Sequence, residues 1–243
     1  MLLNVENLHK SFAQKHLRHT VLGGVNFSVD AGQFILVRGK SGAGKSVLLS
    51  ILAGIERPSS GRICLADKDI HTLRDTELAR IRARDIRLVF QNHNLIDDWT
   101  VMDNLLAADI RPGQRAEKLD RASRLLRRFD MLCYRNDYPI ALSMGQRMRV
   151  VIARAMMVTP KVLLADEPTG ELDARNAEVV SDYLRELAGE ENIAVIVASH
   201  GHFPSRHADR VLALNRGKLL PAREADVCRL VQRNRAQRAT GVS

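Results

Sequence analysis

One octapeptide constrains the fold of this sequence more than any other stretch: Gly39-Lys40-Ser41-Gly42-Ala43-Gly44-Lys45-Ser46. It fits the pattern of glycine, four residues, glycine, lysine, and serine or threonine. An apolar run at residues 34–37 precedes it, and a longer apolar run at 47–53 follows it. The first run predicts a buried strand and the second a helix, so the octapeptide is expected to form a phosphate-binding loop in an α/β fold.

The residue types of this loop suit a nucleotide. Glycines allow backbone N–H groups to converge on phosphate oxygens, and the helix that follows adds its positive N-terminal end. Lys45 is predicted to neutralise charge on the β- and γ-phosphates, and the hydroxyl of Ser46 to ligate Mg²⁺. The motif alone predicts nucleotide binding and leaves open what the energy is used for.

Composition limits the classes of protein to consider. The chain has 243 residues, 45% of them hydrophobic, which is enough for one large α/β domain or two small ones. No segment approaches the about 18 continuous apolar residues of a membrane span, and residues 1–6 lack the features of a signal peptide. We therefore expect a cytosolic protein whose membrane role, if any, depends on a partner. Cys64, Cys133 and Cys228 lack metal-site spacing and are interpreted as reduced structural thiols.

The formal net charge of +9 raises the question of nucleic-acid binding. The basic residues are spread along the chain, with small clusters at residues 124–128 and 229–238. Only 4% of residues are aromatic, so no stacking platform for single strands is predicted. Solvated helix faces are the preferred interpretation, and attraction to an anionic membrane surface is the second.

The rest of the sequence alternates between strand and helix patterns. Strands are predicted at residues 2–8, 21–29, 34–37, 62–66, 86–90, 161–167, 193–198, 210–214 and 218–220. Residues 9–20 are expected to be a polar loop. Amphipathic helices are predicted after Pro112-Gly113, after Ser143, and at 174–188, where Gly189 is expected to end the helix.

This alternation predicts a single α/β domain over residues 1–243 with a mainly parallel sheet covered on both sides. Residues 1–91 and 160–222 are predicted to form the nucleotide-binding core. Residues 92–159 are predicted to be an inserted helical subdomain, and residues 223–243 a basic C-terminal tail.

Polar residues lie where several predicted strands end, and parallel strands bring such ends to one edge of a sheet. Asp166 is expected to hold Mg²⁺ opposite Ser46, and Glu167 to polarise the attacking water as general base. Gln91 is a candidate to orient that water or contact the metal, and His200 to hydrogen-bond the γ-phosphate. Together with Lys45, these residues predict nucleotide hydrolysis.

The segment Leu142-Ser143-Met144-Gly145-Gln146 resembles the Leu-Ser-Gly-Gly-Gln signature of the ATP-binding-cassette (ABC) ATPases. The resemblance covers nearly the whole chain and implies a RecA-like P-loop core with an antiparallel N-terminal β subdomain. It also implies a head-to-tail homodimer with two ATP molecules, in which Ser143, Gly145 and Gln146 of one subunit contact the nucleotide of the other. Met144 replaces the usual glycine, and its N–H group remains available.

Other positions match the family in order. Gln91 falls at the Q-loop, Glu171-Leu172-Asp173 at the D-loop, and His200 at the switch histidine. Phe12 occupies the position of an aromatic residue that stacks on adenine. Ser199-His200-Gly201 departs mildly from the family's usual Thr/Ser-His-Asp.

Residues 165–173 are similar to the branch that contains lipoprotein-releasing, macrolide-exporting and cell-division ATPases. That similarity implies a separate subunit, peripheral on the cytoplasmic face of the inner (plasma) membrane, that drives an integral membrane permease, with coupling of the export type. Residues 93–99 would line the groove for the permease, where Trp99 is a candidate contact, although packing within the helical subdomain is an equal alternative for this side chain.

Two other functions are considered. A cassette ATPase that acts on nucleic acid or ribosomes would use the basic surface, but such relatives usually carry two cassettes or long inserts. A P-loop kinase would have no use for the signature at Ser143. Neither is preferred, and no nucleic-acid partner is expected.

Overall fold

The computed structural model describes residues 1–14, 17–200 and 203–222, so the predicted tail at 223–243 lies outside the described residues. The strands are β1 (Leu3–Gln14), β2 (Leu17–Val29), β3 (Phe34–Arg38), β4 (Ser60–Leu65), β5 (Lys68–Asp69), β6 (Ile86–Val89), β7 (Val162–Asp166), β8 (Ala194–Ser199), β9 (Arg210–Asn215) and β10 (Lys218–Pro221). The helices are α1 (Lys45–Leu52), α2 (Asp75–Arg84), α3 (Val101–Leu106), α4 (Arg115–Arg128), α5 (Met144–Ala155) and α6 (Ala174–Glu191).

A six-stranded sheet carries the phosphate loop. Its strand order is β10-β9-β3-β8-β7-β6, and every pair is parallel except the hairpin of β9 and β10. β3 lies between β8 and β9, and all six residues of β8 are buried. Because the strands run the same way, the C-terminal ends of β3, β7 and β8 share one edge, and the loops that follow them meet there. The predicted α/β class with a mainly parallel sheet is confirmed.

The two faces of this sheet belong to different apolar clusters, as the alternation of side chains along a strand requires. Phe34 and Leu36 of β3 pack in a cluster with residues of α3, α4, α5 and α6. Ile35 and Val37 pack in a second cluster with α1 and with residues of β1, β2 and β4, which belong to a second sheet. The phosphate loop is therefore anchored in a strand that is buried on both sides.

The second sheet is antiparallel, with the order β2-β1-β4-β5. The prediction of a polar loop over residues 9–20 is wrong, because β1 and β2 pair as far as Gln14 and Leu17. The register shifts at three places between Val5 and Ser11. Each shift interrupts the alternation of apolar and polar residues, which is the pattern that reveals a strand in a sequence.

One helix prediction is wrong in its C-terminal end, and one helix outside the predicted helical subdomain was not predicted. Helix α6 passes Gly189 and ends at Glu191, where Asn192 adopts the left-handed conformation with a φ of 54°. Asparagine tolerates that conformation and can take the role that Gly189 was expected to fill. Helix α2 was not predicted from the sequence. No helix in the described ranges combines the length and apolar character that crossing a bilayer requires.

Candidate functional site

The phosphate loop connects β3 to α1 in a conformation that its glycines permit. Gly44 is the N-terminal boundary residue of α1 and has a φ of 98°. A Cβ atom on Gly44 would lie 2.6 Å from Cγ1 of Val21, so both the backbone angle and the space exclude a side chain. Backbone bonds from Gly39 N–H to Ser199 O and from Ala43 N–H to Lys40 O fix the start of the loop beside β8.

Lys45 points into the loop. Its ammonium group donates to the carbonyl oxygens of Gly39 and Lys40 at 3.0 and 3.1 Å. The same Nζ lies 3.4 Å from Oε1 of Glu167, and both side chains are buried. A buried cation held by loop carbonyls is placed to exchange those partners for phosphate oxygens.

Glu167 follows β7 and is held by several contacts. Its φ is 50°, a left-handed conformation that is rare for glutamate and is found mainly where surrounding contacts impose it. The backbone N–H of His200 donates to Oε2 at 3.1 Å, and Nδ1 of His200 lies 2.7 Å from Oε1. The structure therefore brings Lys45, Glu167 and His200 together, as the sequence predicted.

Asp166 has a carboxylate oxygen that is free to bind a cation. Its Oδ1 is buried and has no hydrogen-bond partner in the described part of the chain, while the carboxylate shares a hydrogen bond with the Ser46 side chain. Burial raises the pKa of Asp166, and the neighbouring charge of Glu167 adds to this, although Ser46 and Lys45 oppose it. A buried, unsatisfied carboxylate oxygen beside a hydroxyl fits a hard divalent cation such as Mg²⁺.

The structure leaves two predicted site residues apart from this group. Gln91 lies two residues beyond the end of β6, and its side chain donates to Oε1 of Glu171 at 3.4 Å. Phe12 lies on β1, is 40% exposed, and has Nζ of Lys10 at 4.7 Å from its ring centroid. Phe12 therefore offers an accessible aromatic face, and Gln91 links the predicted Q-loop to the predicted D-loop.

The signature segment forms the N-terminus of α5, as predicted. The hydroxyl of Ser143 accepts from the N–H of Gln146 at 3.3 Å, and Oε1 of Gln146 accepts from the N–H of Ser143 at 2.8 Å. Gly145 is buried, and a Cβ on it would lie 2.6 Å from Oδ1 of Asn176 at the start of α6. This reciprocal cap is complete within α5, and its hydrogen bonds join it neither to Lys45 nor to Glu167 in the part of the chain described.

Sequence reasoning missed the residues that shape the segment after Gln91. Asn104 is 1% exposed; its side chain accepts from the N–H of Ile96 and donates to three carbonyls between residues 96 and 100. Arg154 donates to the carbonyls of His93 and Asn94. For Arg154 the available signal was its place in the helix predicted after Ser143, whereas no helix was predicted around Asn104.

Comparisons with known proteins agree with this geometry. A family model described as ABC transporter matches residues 22–170. The lipoprotein-releasing system ATP-binding protein LolD of Shewanella sp. (strain MR-4) is 36% identical over 220 residues, covering 90% of this chain and 95% of its own length. The macrolide export ATP-binding/permease protein MacB of Brucella melitensis biotype 1 is 37% identical over 220 residues, which are 90% of this chain but 34% of MacB.

Solved structures of ABC transporter cassettes have the same fold as this chain. The dimeric structure of MJ0796, a bacterial ABC transporter cassette, matches with a TM-score of 0.83 and 31% identity over 89% of this chain and 96% of that one. The same cassette in a post-hydrolysis state bound to ADP and Pi matches with a TM-score of 0.82 and 30% identity over 91% and 99% of the two chains. From the matched family, the relatives and the fold, this chain belongs to the ABC transporter family as an ATP-binding, ATP-hydrolysing subunit.

Proposed function

We propose that this chain is the motor subunit of an export-type transporter, in which two copies close on two ATP molecules and drive a separate membrane permease. The observation that carries the proposal is the contact of the buried Lys45 and Glu167 with each other and with His200, beside the unsatisfied Asp166. The relatives named for lipoprotein release and macrolide export support the direction of transport.

In this proposal Glu167 is the general base. A carboxylate held by His200 through the backbone N–H at 3.1 Å and through Nδ1 at 2.7 Å has a fixed orientation, which favours proton abstraction from a water at the γ-phosphate. His200 directly follows β8, and in this proposal it hydrogen-bonds that phosphate. Lys45 neutralises the phosphate charge.

Asp166 and Ser46 would hold Mg²⁺, with Gln91 as a further ligand or as the residue that orients the water. When bound, the ion would offset phosphate charge. The buried Oδ1 of Asp166 and the Ser46 hydroxyl supply the type of donor that Mg²⁺ prefers. We assign the adenine contact to the exposed face of Phe12.

We infer that the second half of each ATP site comes from the partner copy. Ser143, Gly145 and Gln146 form a capped helix terminus whose N–H groups suit a phosphate, and that terminus makes no hydrogen bond to its own chain's Lys45 among the described residues. The MJ0796 cassette, described as dimeric in both matched structures, supports a homodimer.

We propose that the permease binds at a groove of about 310 Å³ beside the segment that follows Gln91. Asn104 and Arg154 line the groove and brace that segment. Ile96 and Trp99 nearby are 43% and 42% exposed, which suits an apolar contact with a partner. In the proposed assembly, residues 92–159 act as a helical subdomain that passes motion to the permease at the cytoplasmic face of the inner membrane.

The substitution Glu167→Gln tests the catalytic part of the proposal. ATP binding and ATP-dependent dimerisation should remain, while phosphate release should fall by about 10²- to 10⁴-fold, which is the usual contribution of a general base. Nucleotide binding and oligomeric state are measured beside the rate. Turnover near that of the unmodified protein would reject Glu167 as the base.

Purification from mild-detergent membranes tests the partner. We expect the tagged chain to retain an integral membrane protein, and Trp99→Ala to reduce its recovery. Salt-sensitive retention of RNA, DNA or ribosomes at physiological ionic strength, with no membrane protein, would favour the nucleic-acid alternative instead. A phosphorylated small-molecule product would favour a kinase.

A further inference from the structure

Three side chains outside the nucleotide site converge between α6 and the turn after β8. Glu178 and Asp182 lie four residues apart in α6 and therefore on one face of the helix. His207 belongs to the short 3₁₀ turn Ser205–His207, and its side chain is 10% exposed. Oε1 of Glu178, Oδ1 of Asp182 and Nε2 of His207 all lie within 4.8 Å of one another.

The distances suit one shared metal ion. Bonds of about 2.0–2.2 Å in a tetrahedral zinc site place neighbouring donor atoms about 3.4 Å apart. Nε2 of His207 shares a hydrogen bond with Oε1 of Glu178 at 3.2 Å and lies 3.6 Å from Oδ1 of Asp182. Two of the three separations therefore match, and rotation of an exposed carboxylate adjusts the third. A metal ion would take the place of the proton in the hydrogen bond between His207 and Glu178.

The frame around these donors is held by other contacts. Arg185 on α6 donates to Oδ2 of Asp209 at 2.8 Å, and the same oxygen accepts from the N–H of Phe34 in β3 at 2.7 Å. The ring of Phe203, which is fully buried, packs against Phe34 at 5.8 Å between centroids. The turn that carries His207 is thus fixed against both α6 and the central sheet, and a fixed turn lowers the entropy cost of binding an ion.

Two carboxylates face His207, and the cations near them among the described residues are Arg206 and Arg185, of which Arg185 is paired with Asp209. Glu178 forms an ion pair with Arg206, a side chain that is 66% exposed. Such surface pairs contribute only about 0–1 kcal/mol, so a metal ion can displace the guanidinium at small cost.

We propose that Glu178, Asp182 and His207 form a binding site for a transition-metal dication of the Zn²⁺ type, with water in the fourth position. The imidazole nitrogen distinguishes this set from the all-oxygen sites of Mg²⁺ and Ca²⁺. An ion held there would fasten α6, which begins after the predicted D-loop, to the segment that follows His200.

Titration of the untagged, metal-stripped full chain with Zn²⁺, without nucleotide, tests the proposal. We expect one calorimetric site, and Co²⁺ should give the absorption bands of a tetrahedral complex. His207→Ala and Glu178→Gln should each weaken binding at least about tenfold, since even loss of an outer partner costs about 10- to 100-fold. Glu190→Gln changes the same charge near the end of α6, where Glu190 pairs with Arg128, and should leave the affinity unchanged.

Arg206→Gln keeps the test decisive if the ligand variants fold poorly. Removal of this exposed competitor should tighten Zn²⁺ binding about two- to fivefold, which corresponds to the loss of a surface ion pair. The proposal is overturned if His207→Ala folds and binds Zn²⁺ like the unmodified chain, if Arg206→Gln weakens Zn²⁺ binding, or if Mg²⁺ competes with equal strength.

Discussion

The phosphate loop and the signature turn are both helix N-termini suited to phosphate, yet they are stabilised in different ways. Lys45 at the first contacts Glu167, and Glu167 contacts His200, so residues far apart in sequence meet around the buried carboxylate of Glu167. Ser143 at the second is satisfied by Gln146, three residues away, in an exposed cap.

The two regions also differ in the groups that they offer to a nucleotide. The first region holds the proposed base Glu167, the cation of Lys45 and the carboxylate of Asp166 with its unsatisfied oxygen. The second offers backbone N–H groups and uncharged side chains, including the exposed Met144, in a capped turn. The residues proposed for hydrolysis lie around the N-terminus of α1, whereas the N-terminus of α5 offers a turn suited to phosphate and no such residues. We therefore expect the turn at α5 to bind the nucleotide of another copy.

The largest effect is expected from Lys45→Ala, which breaks the first region. Losing a charge-assisted contact to phosphate costs roughly 1.5–3 kcal/mol, or about 10- to 150-fold in ATP affinity. Lys40→Ala is the matched control, since Lys40 is exposed in the same loop and its backbone remains. Equal ATP affinities for the two variants, measured by calorimetry, would contradict the role of Lys45.

A smaller effect is expected from Gly145→Ala, which disturbs the second region. The new Cβ would meet Asn176, whose side chain is held by Asp173 at 2.6 Å, so we expect a loss of about 1–3 kcal/mol in the free energy of unfolding. Gly189→Ala in α6 has nothing within 4 Å of the new Cβ and should stabilise by about 0.5–1 kcal/mol. Urea unfolding measures both, and a neutral Gly145→Ala would show that the turn is not tightly packed.

The smallest effect is expected from Tyr183→Phe, which touches neither region. The Tyr183 hydroxyl donates to Oδ2 of Asp130 at 2.8 Å, so the substitution should cost about 1 kcal/mol of stability while the ATPase rate is kept. Burial, reinforced by Asp130, raises the pKa of Tyr183 to about 12. Its contribution is thus complete below the unfolded pKa of about 10 and is lost as pH rises toward 12.

Unfolding of the unmodified chain and of Tyr183→Phe across that pH range measures the effect, and Tyr138→Phe, at a half-exposed ring, is the control. Equal loss of stability in the chain with and without the Tyr183 hydroxyl would contradict the assignment.

Features fixed by local pattern were predicted from the sequence. The apolar runs of β3, β7 and β8 and the motif between residues 39 and 46 identified the parallel sheet and the loop at its edge. The Ser143 cap was predicted for the same reason, because a capping box is a pattern of near neighbours.

Features that depend on distant contacts were not predicted. The left-handed conformation of Glu167 accompanies contacts with residues more than 30 positions away, since its N–H donates to the carbonyl of Ala198 and its Oε2 accepts from the N–H of His200. The course of the segment after Gln91 depends on the side chains of Asn104 and Arg154, which lie on helices. The continuation of α6 past Gly189 was missed because glycine tolerates a helix interior and Asn192 supplies the end.

Mixing two inactive variants tests most directly whether a second copy completes each ATP site. Lys45→Ala and Ser143→Arg should each lose most ATPase activity, and each fold is checked by circular dichroism. Combined, they should form heterodimers in which one intact Lys45 faces one intact Ser143, so the rate should rise well above the sum of the separate rates. A mixture no more active than that sum, although heterodimers are present, would contradict the account.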